Sequence, residues 1–318
     1  MGVFTLFLHF SIFYLPLMPR ITLIANKNWE VEPIINALLN AQIRDTSITH
    51  PDILHYPWTF KQGETKPRVK WNDLMGATVE LWCIQDIMAP GANPSSSQAK
   101  HEALPKILEH STRAPDLVVA LGTASSGTTE NINGCVVLGT NVFIHNYHPH
   151  GSNPVSVWDD PIHFEKLLTS SIPPVFFDAF LVSNFQNAHK SLLRPFLNSS
   201  EKIQTVINHN FVALGSVNVT NYAEYNLCDP ATMVAYVNAG NSLPVGSVET
   251  THGVIRLMCE APFFFMSGIV DRFTHFNVDV NGVDFQGNVK TTAQDFTGAF
   301  NIGVVLGNLL PAMIKSVV

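Results

Sequence analysis

Residues 247–272 read SVETTHGVIRLMCEAPFFFMSGIVDR, and the architecture turns on this stretch. Glu249, Thr250, Thr251 and His252 form a polar cluster just ahead of Val254, Ile255, Leu257 and Met258, an apolar set at helical spacing. Pro262 ends that helix, and FFFM (263–266) follows as a continuously apolar run, the pattern of a strand buried on both faces. The pattern predicts that the strand stops at Ser267 and Gly268, with Asp271 just beyond it. Open α/β sheets place their chemistry at the carboxyl ends of strands. Glu249 and Asp271 are therefore candidates for one site.

Composition narrows the class. In 318 residues, 46% are hydrophobic and 14% charged, which implies a substantial core. A net charge of −7 speaks against a broad nucleic-acid-binding face. Cys83, Cys135, Cys228 and Cys259 form no CxxC pair and read as reduced, buried thiols of a cytoplasmic protein, without a zinc site. Residues 1–17 are almost wholly apolar, with no Lys or Arg before Arg20, and Pro16 interrupts a run already short for a membrane span. They read as an N-terminal extension, with a membrane anchor as the alternative, and 18–318 as one domain.

Along the chain, strands alternate with helices. ITLIA (21–25) is a buried strand, and NKNWEVEPIINALLN leads from it into an apolar-periodic helix. The polar segment 41–72 reads as an insertion or long hairpin. A Ser-capped helix over 95–110 should bend or divide at Pro105. LVVAL (117–121) is a strand, GTASSG a small-residue turn at its end, and GCVVLG a further strand. HNYHPHG (145–151) carries His145, His148 and His150, but Pro149 forbids a helical zinc arrangement, and the segment reads as a polar loop. Residues 210–226 read as a strand followed by a polar-aromatic loop, and DPATMVAYVNAG as a helix capped by Asp229. In the last helix, Gly303 and Gly307 suit close packing against another helix.

The V-E pair at 248–249, the Pro-led apolar strand and the I-x-D at 269–271 resemble the nucleoside phosphorylase/nucleosidase superfamily, and within it the methylthioadenosine/S-adenosylhomocysteine nucleosidases. The resemblance implies a single α/β domain with a mixed central β-sheet flanked by helices. It implies that Asp271 protonates the leaving base and that Glu30, with Glu32 as the nearby alternative, activates the attacking water. Glu249, Thr250, Thr251 and His252 become sugar-side contacts; the family's ribose-binding Glu falls on Thr251, a departure from the pattern. Thr123, Ala124 and Ser125 take the place where the family's small residues let the backbone pass close to base and sugar. Asn221, Tyr222 and Tyr225 are candidates for holding the base, through an amide and a stacking ring.

The activity so implied is cleavage of the N-glycosidic bond of a nucleoside or 5′-substituted nucleoside by water. No metal or organic cofactor is called for, the partner is a small-molecule nucleoside, and the expected assembly is a homo-oligomer. Two rivals stand beside it. A phosphorylase would take phosphate as co-substrate; Ala120 and GTASSG offer it no basic residue, which leaves Lys27 or Arg256 to supply charge. A non-catalytic nucleoside-binding or storage protein would keep the fold after losing the ribose Glu.

Overall fold

The computed structural model describes residues 18–42, 52–53, 63–146, 165–170, 172, 192–195, 199–217, 225–280 and 293–318. The extension 1–17, His148, His150, Asn221 and Tyr222 lie outside these residues, as does the side chain of Tyr225.

Among the described residues twelve strands form one mixed sheet. At its centre β1 (Arg20–Ala25) lies between β4 (Ala77–Cys83) and β5 (Leu117–Ser126), parallel to both. Beyond β4 are β3 (Val69–Leu74) and the two-residue β2 (Asp52–Ile53), each antiparallel to its neighbour. β2 and most of β3 fall within the segment read as an insertion, and β3 turns into β4 through Met75 and Gly76, both at positive φ. β5 is shared: β12 (Phe263–Asp271) runs parallel to it, and its last two residues pair antiparallel with β11 (Val245–Glu249). From β11 the sheet continues through β10 (Val212–Val217), β7 (Asn141–Asn146) and β8 (Lys166–Leu168). β12 also pairs with β6 (Val136–Gly139), whose other neighbour is β9 (Thr205–Ile207).

The central strands are largely apolar because both faces are covered. Ile21, Leu23, Leu117, Val119, Leu121, Phe264 and Met266 belong to one core, with α1 (Asn28–Gln42) and a long C-terminal helix, Ala293–Val317. Ile24, Val118, Ala120, Phe263, Phe265 and Ile269 belong to the other, with the short α2 (Ile84–Ile87) and α3 (Ser97–Leu108). The remaining described helices are α4 (Tyr225–Asn238), α5 (His252–Leu257) and α6 (Phe276–Asp279), so the long helix is α7. α7 is long and apolar enough to cross a membrane, but its apolar side is packed inside this fold.

Two glycine contacts set the position of α7. A Cβ on Gly303 would fall 2.4 Å from the Ile34 carbonyl oxygen of α1, and one on Gly268 of β12 would fall 2.5 Å from that of Gly298. The second contact brings the first turn of α7, with Asp295, over the end of β12. Two buried ion pairs tie the sheet to its edges. Arg20 meets Glu80 at 3.1 Å and donates to the carbonyls of Ile107 and Leu108 that end α3, and Arg68 meets Asp86.

Four expectations are corrected. The FFFM strand does not stop at Gly268 but runs through Asp271, because β5 continues to pair with it. GTASSG is accordingly not a turn: through Ser126 it is the second half of β5, where ladder hydrogen bonds replace apolar burial as the reason for extension. Asp229 does not cap a helix; α4 starts at Tyr225 and carries Asp229 inside it, so the polar-aromatic loop ends earlier. Pro105 does not divide α3, which stays one helix while Leu104, Ile107 and Leu108 pack below it.

Candidate active site

The carboxyl ends of β1, β5, β11 and β12 converge on one cavity of about 790 Å³, counted to its open mouth. Of the residues singled out in the sequence, Asp271, Glu30, Glu249, Thr250, Thr251, Thr123, Ala124 and Ser125 all line it.

Asp271 lines the cavity from the end of β12. The β5–β12 register shifts by one residue after Ile269, so that Asp271 comes to pair with Ser125. Such a bulge re-aims side chains, and it lets the consecutive residues Val270 and Asp271 both face the cavity. Asp271 is 1% exposed, and its Oδ2 has no hydrogen-bond partner among the described residues. Burial raises its pKa well above the usual carboxylate range. The carboxyls of Asp229, Asp279 and Asp295 push the same way, against a hydrogen bond from Ser125. Burial therefore favours the protonated carboxylic acid over the carboxylate.

Glu30, in the first turn of α1, faces β5 from across the cavity. Its Oε1 accepts from the amide and the hydroxyl of Thr123, both at 3.0 Å, and its Oε2 accepts from the Lys27 amide at 3.0 Å. Three donors hold one carboxylate in a fixed orientation. Lys27 itself lines the cavity beside it, whereas Glu32 does not.

At the end of β11, Glu249 Oε2 accepts from the amides of Thr251 and His252 and so caps α5. Its Oε1 is buried and without a partner among the described residues. His252 is corrected as a sugar contact: its ring is 0% exposed, stacks on Phe265 and does not line the cavity. Its Nε2 lies 3.1 Å from Ser267 Oγ, which donates on to Ser247 Oγ, so the network assigns the imidazole proton to Nε2. Burial lowers its pKa and keeps it neutral.

Several wall residues were not found from sequence. Asp229 lies beside Asp271 on the wall, and burial raises its pKa to about 7. Asp295 completes a third carboxyl at that end, and the rings of Trp29 and Phe276 line the cavity too. Behind Thr250 and Thr251 stands the wholly buried Lys100. Among the described residues no group of three His, Cys, Asp or Glu is placed to hold a metal ion. His145, read from the sequence as part of a polar loop, lies in β7 and meets Glu165 at 2.6 Å.

No family model and no curated protein matches the sequence. Solved structures do. The 5′-methylthioadenosine/S-adenosylhomocysteine nucleosidase of Neisseria meningitidis, in complex with methylthio-immucillin-A, superposes with a TM-score of 0.52 at 13% identity, over 92% of this chain and 98% of that one. The chain has the nucleosidase fold. A Helicobacter pylori aspartate-to-asparagine variant, with 5′-methylthioadenosine in its active site, gives 0.52 at 10% identity, over 92% and 98%. The Colwellia psychrerythraea nucleosidase in complex with adenine gives 0.51 at 13%, over 93% and 96%.

Proposed function

We propose that the protein cleaves the N-glycosidic bond of a nucleoside or 5′-substituted nucleoside with water, releasing the free base. The observation that carries this is the pairing of two unlike carboxyl groups across one cavity: Asp271, whose protonated form burial favours, and Glu30, held by three donors. A buried acid on one side and a carboxylate held by hydrogen-bond donors on the other are the parts that general acid–base catalysis uses. The neighbours solved with 5′-methylthioadenosine and with adenine support a ligand of this class.

In this reading Asp271 gives its proton to a ring nitrogen of the base as the C1′–N bond breaks. The bonding pair leaves with the base, which departs neutral. Positive charge then develops at C1′, and the carboxylates of Glu30 and Glu249 stabilise it electrostatically. Glu30 accepts a hydrogen bond from the attacking water and takes its proton as the new C–O bond forms. Free base and free sugar are the products, and exchange with solvent restores both carboxyls. The accompanying expectations are a cytoplasmic homo-oligomer working without a metal or organic cofactor.

Incubation with a panel of nucleosides and 5′-substituted nucleosides, with and without phosphate, tests this. Free base and free sugar should appear equally in both. Sugar 1-phosphate formed only with phosphate would replace hydrolysis by phosphorolysis, for which Lys27 on the cavity wall is the supporting feature. Binding without any release of base would make the protein a nucleoside-binding one.

A further inference from the structure

Lys100 lies on the buried stripe of α3 and is 0% exposed. Its Nζ donates to the Thr250 carbonyl at 3.0 Å, to Thr250 Oγ1 at 3.3 Å and to Thr251 Oγ1 at 3.0 Å. An ammonium group has three protons and no acceptor, so all three are used. A hydroxyl that accepts from it keeps its own proton for another oxygen. Among the described residues no protein acceptor for either threonine proton is found, and both residues line the cavity. Next to them, Glu249 Oε1 is buried, unpartnered among the described residues and able only to accept.

We propose that Lys100 is a positioning residue that turns the hydroxyls of Thr250 and Thr251 toward the cavity as donors. With Glu249 Oε1 they form a subsite for one sugar hydroxyl, which donates to the carboxylate and accepts from the threonine. This rests on the nucleosidase reading and names the sugar: its hydroxyl at this point is free, neither removed nor alkylated. An anionic substituent fits less well, because Glu30, Glu249, Asp229, Asp271 and Asp295 share the cavity with Lys27.

The ionisation of Lys100 supplies a signature. The groups that act on it are Lys27 after β1, Glu30 on α1, Glu249 on β11 and His252 on α5. Burial first, then the charge of Lys27, bring its pKa down to about 7, against the pull of Glu249 and Glu30. Above that pH the neutral amine gains a lone pair and draws one threonine proton inward. Affinity for the hydroxylated sugar then falls as pH rises through 7, while affinity for an analogue lacking that hydroxyl does not.

Calorimetric binding to the Asp271→Asn protein, which removes turnover from the measurement, tests the proposal with adenosine, 2′-deoxyadenosine and 3′-deoxyadenosine. One deoxy analogue should bind roughly tenfold more weakly than adenosine, the worth of about one hydrogen bond. Thr251→Val should reduce adenosine to the level of that analogue, and Thr251→Ser should keep the preference. Lys100→Met should act like Thr251→Val; if it fails to fold, the two Thr251 variants and the pH dependence still decide. Equal binding of all three nucleosides, an unchanged preference in Thr251→Val, or no binding of adenosine overturns the proposal. Failure of the nucleosidase reading shows up separately, as an unsubstituted protein that releases no base.

Discussion

Asp271 stands opposite Ser125 across β5 and β12, one residue out of the register that holds from Phe263 with Val118 to Ile269 with Ala124. The inserted residue is what turns a carboxyl at the end of a core strand into the wall of the cavity. Because that carboxyl is buried among other acids, its surroundings favour the protonated form. The local irregularity and the chemistry have the same cause.

Glu30 and Glu32 separate in a direct comparison. Glu30→Gln places an amide against the donors of Thr123 and Lys27 and removes the acceptor for the water proton. Turnover should fall by about 10²–10⁴-fold, the usual contribution of a general base. Glu32→Gln, away from the cavity, should leave turnover within a factor of about two of the parent. Steady-state rates of base release check both.

Asp229 makes stability depend on pH. Its pKa is about 7 in the folded protein, with burial as the main cause, against 3.8 for an ordinary aspartate. Between those values the unfolded chain gives up a proton that the folded protein keeps, so stability falls as pH rises from about 4 to about 7 and then levels. Asp229→Asn should therefore gain stability at pH 7, by at most about 4 kcal/mol at 1.36 kcal/mol per unit. The gain should vanish near pH 4. Thermal melts of both proteins across this range measure it.

Arg68 and Asp86 are a buried pair, at 0% and 1% side-chain exposure. Arg68→Met strands the Asp86 charge and should cost about 3–5 kcal/mol. Arg68→Met with Asp86→Leu should recover most of that loss, which denaturant unfolding of the two variants would register.

Gly303→Ala would put a methyl carbon against the Ile34 carbonyl where α1 and α7 touch. Backbone cannot yield there as a flexible side chain can, so destabilisation of about 1–3 kcal/mol is expected. A melting temperature equal to that of the parent would contradict the close approach.

What was legible in the sequence followed burial. FFFM, LVVAL and ITLIA announced central strands because a short, unbroken apolar run is what covering both faces of a sheet demands. The place of Asp271 past the FFFM run, and of Glu30 in the helix that follows ITLIA, came with them; that Glu249 ends a strand did not. GTASS was misread because small polar residues signal turns locally, whereas here two neighbouring strands extend them. Asp229 was hidden because an Asp before Pro looks like a cap. Lys100 did leave a trace: it falls at helical spacing with Ala103, Leu104 and Ile107, on the stripe that should be apolar. His252 misled because a histidine at a helix start looks exposed, and its burial against Phe265 is a tertiary fact.

In the proposed reaction everything depends on Asp271 delivering the proton that lets the base leave. The most direct test is the rate of free-base release by Asp271→Asn, set against the unsubstituted protein on the same nucleoside, with ligand affinity measured alongside. The amide keeps the shape and can still hydrogen-bond the base, but it has no acidic proton. Release should fall by about 10²–10⁴-fold with affinity largely retained. Undiminished release by the Asn variant would contradict the proposed role of Asp271.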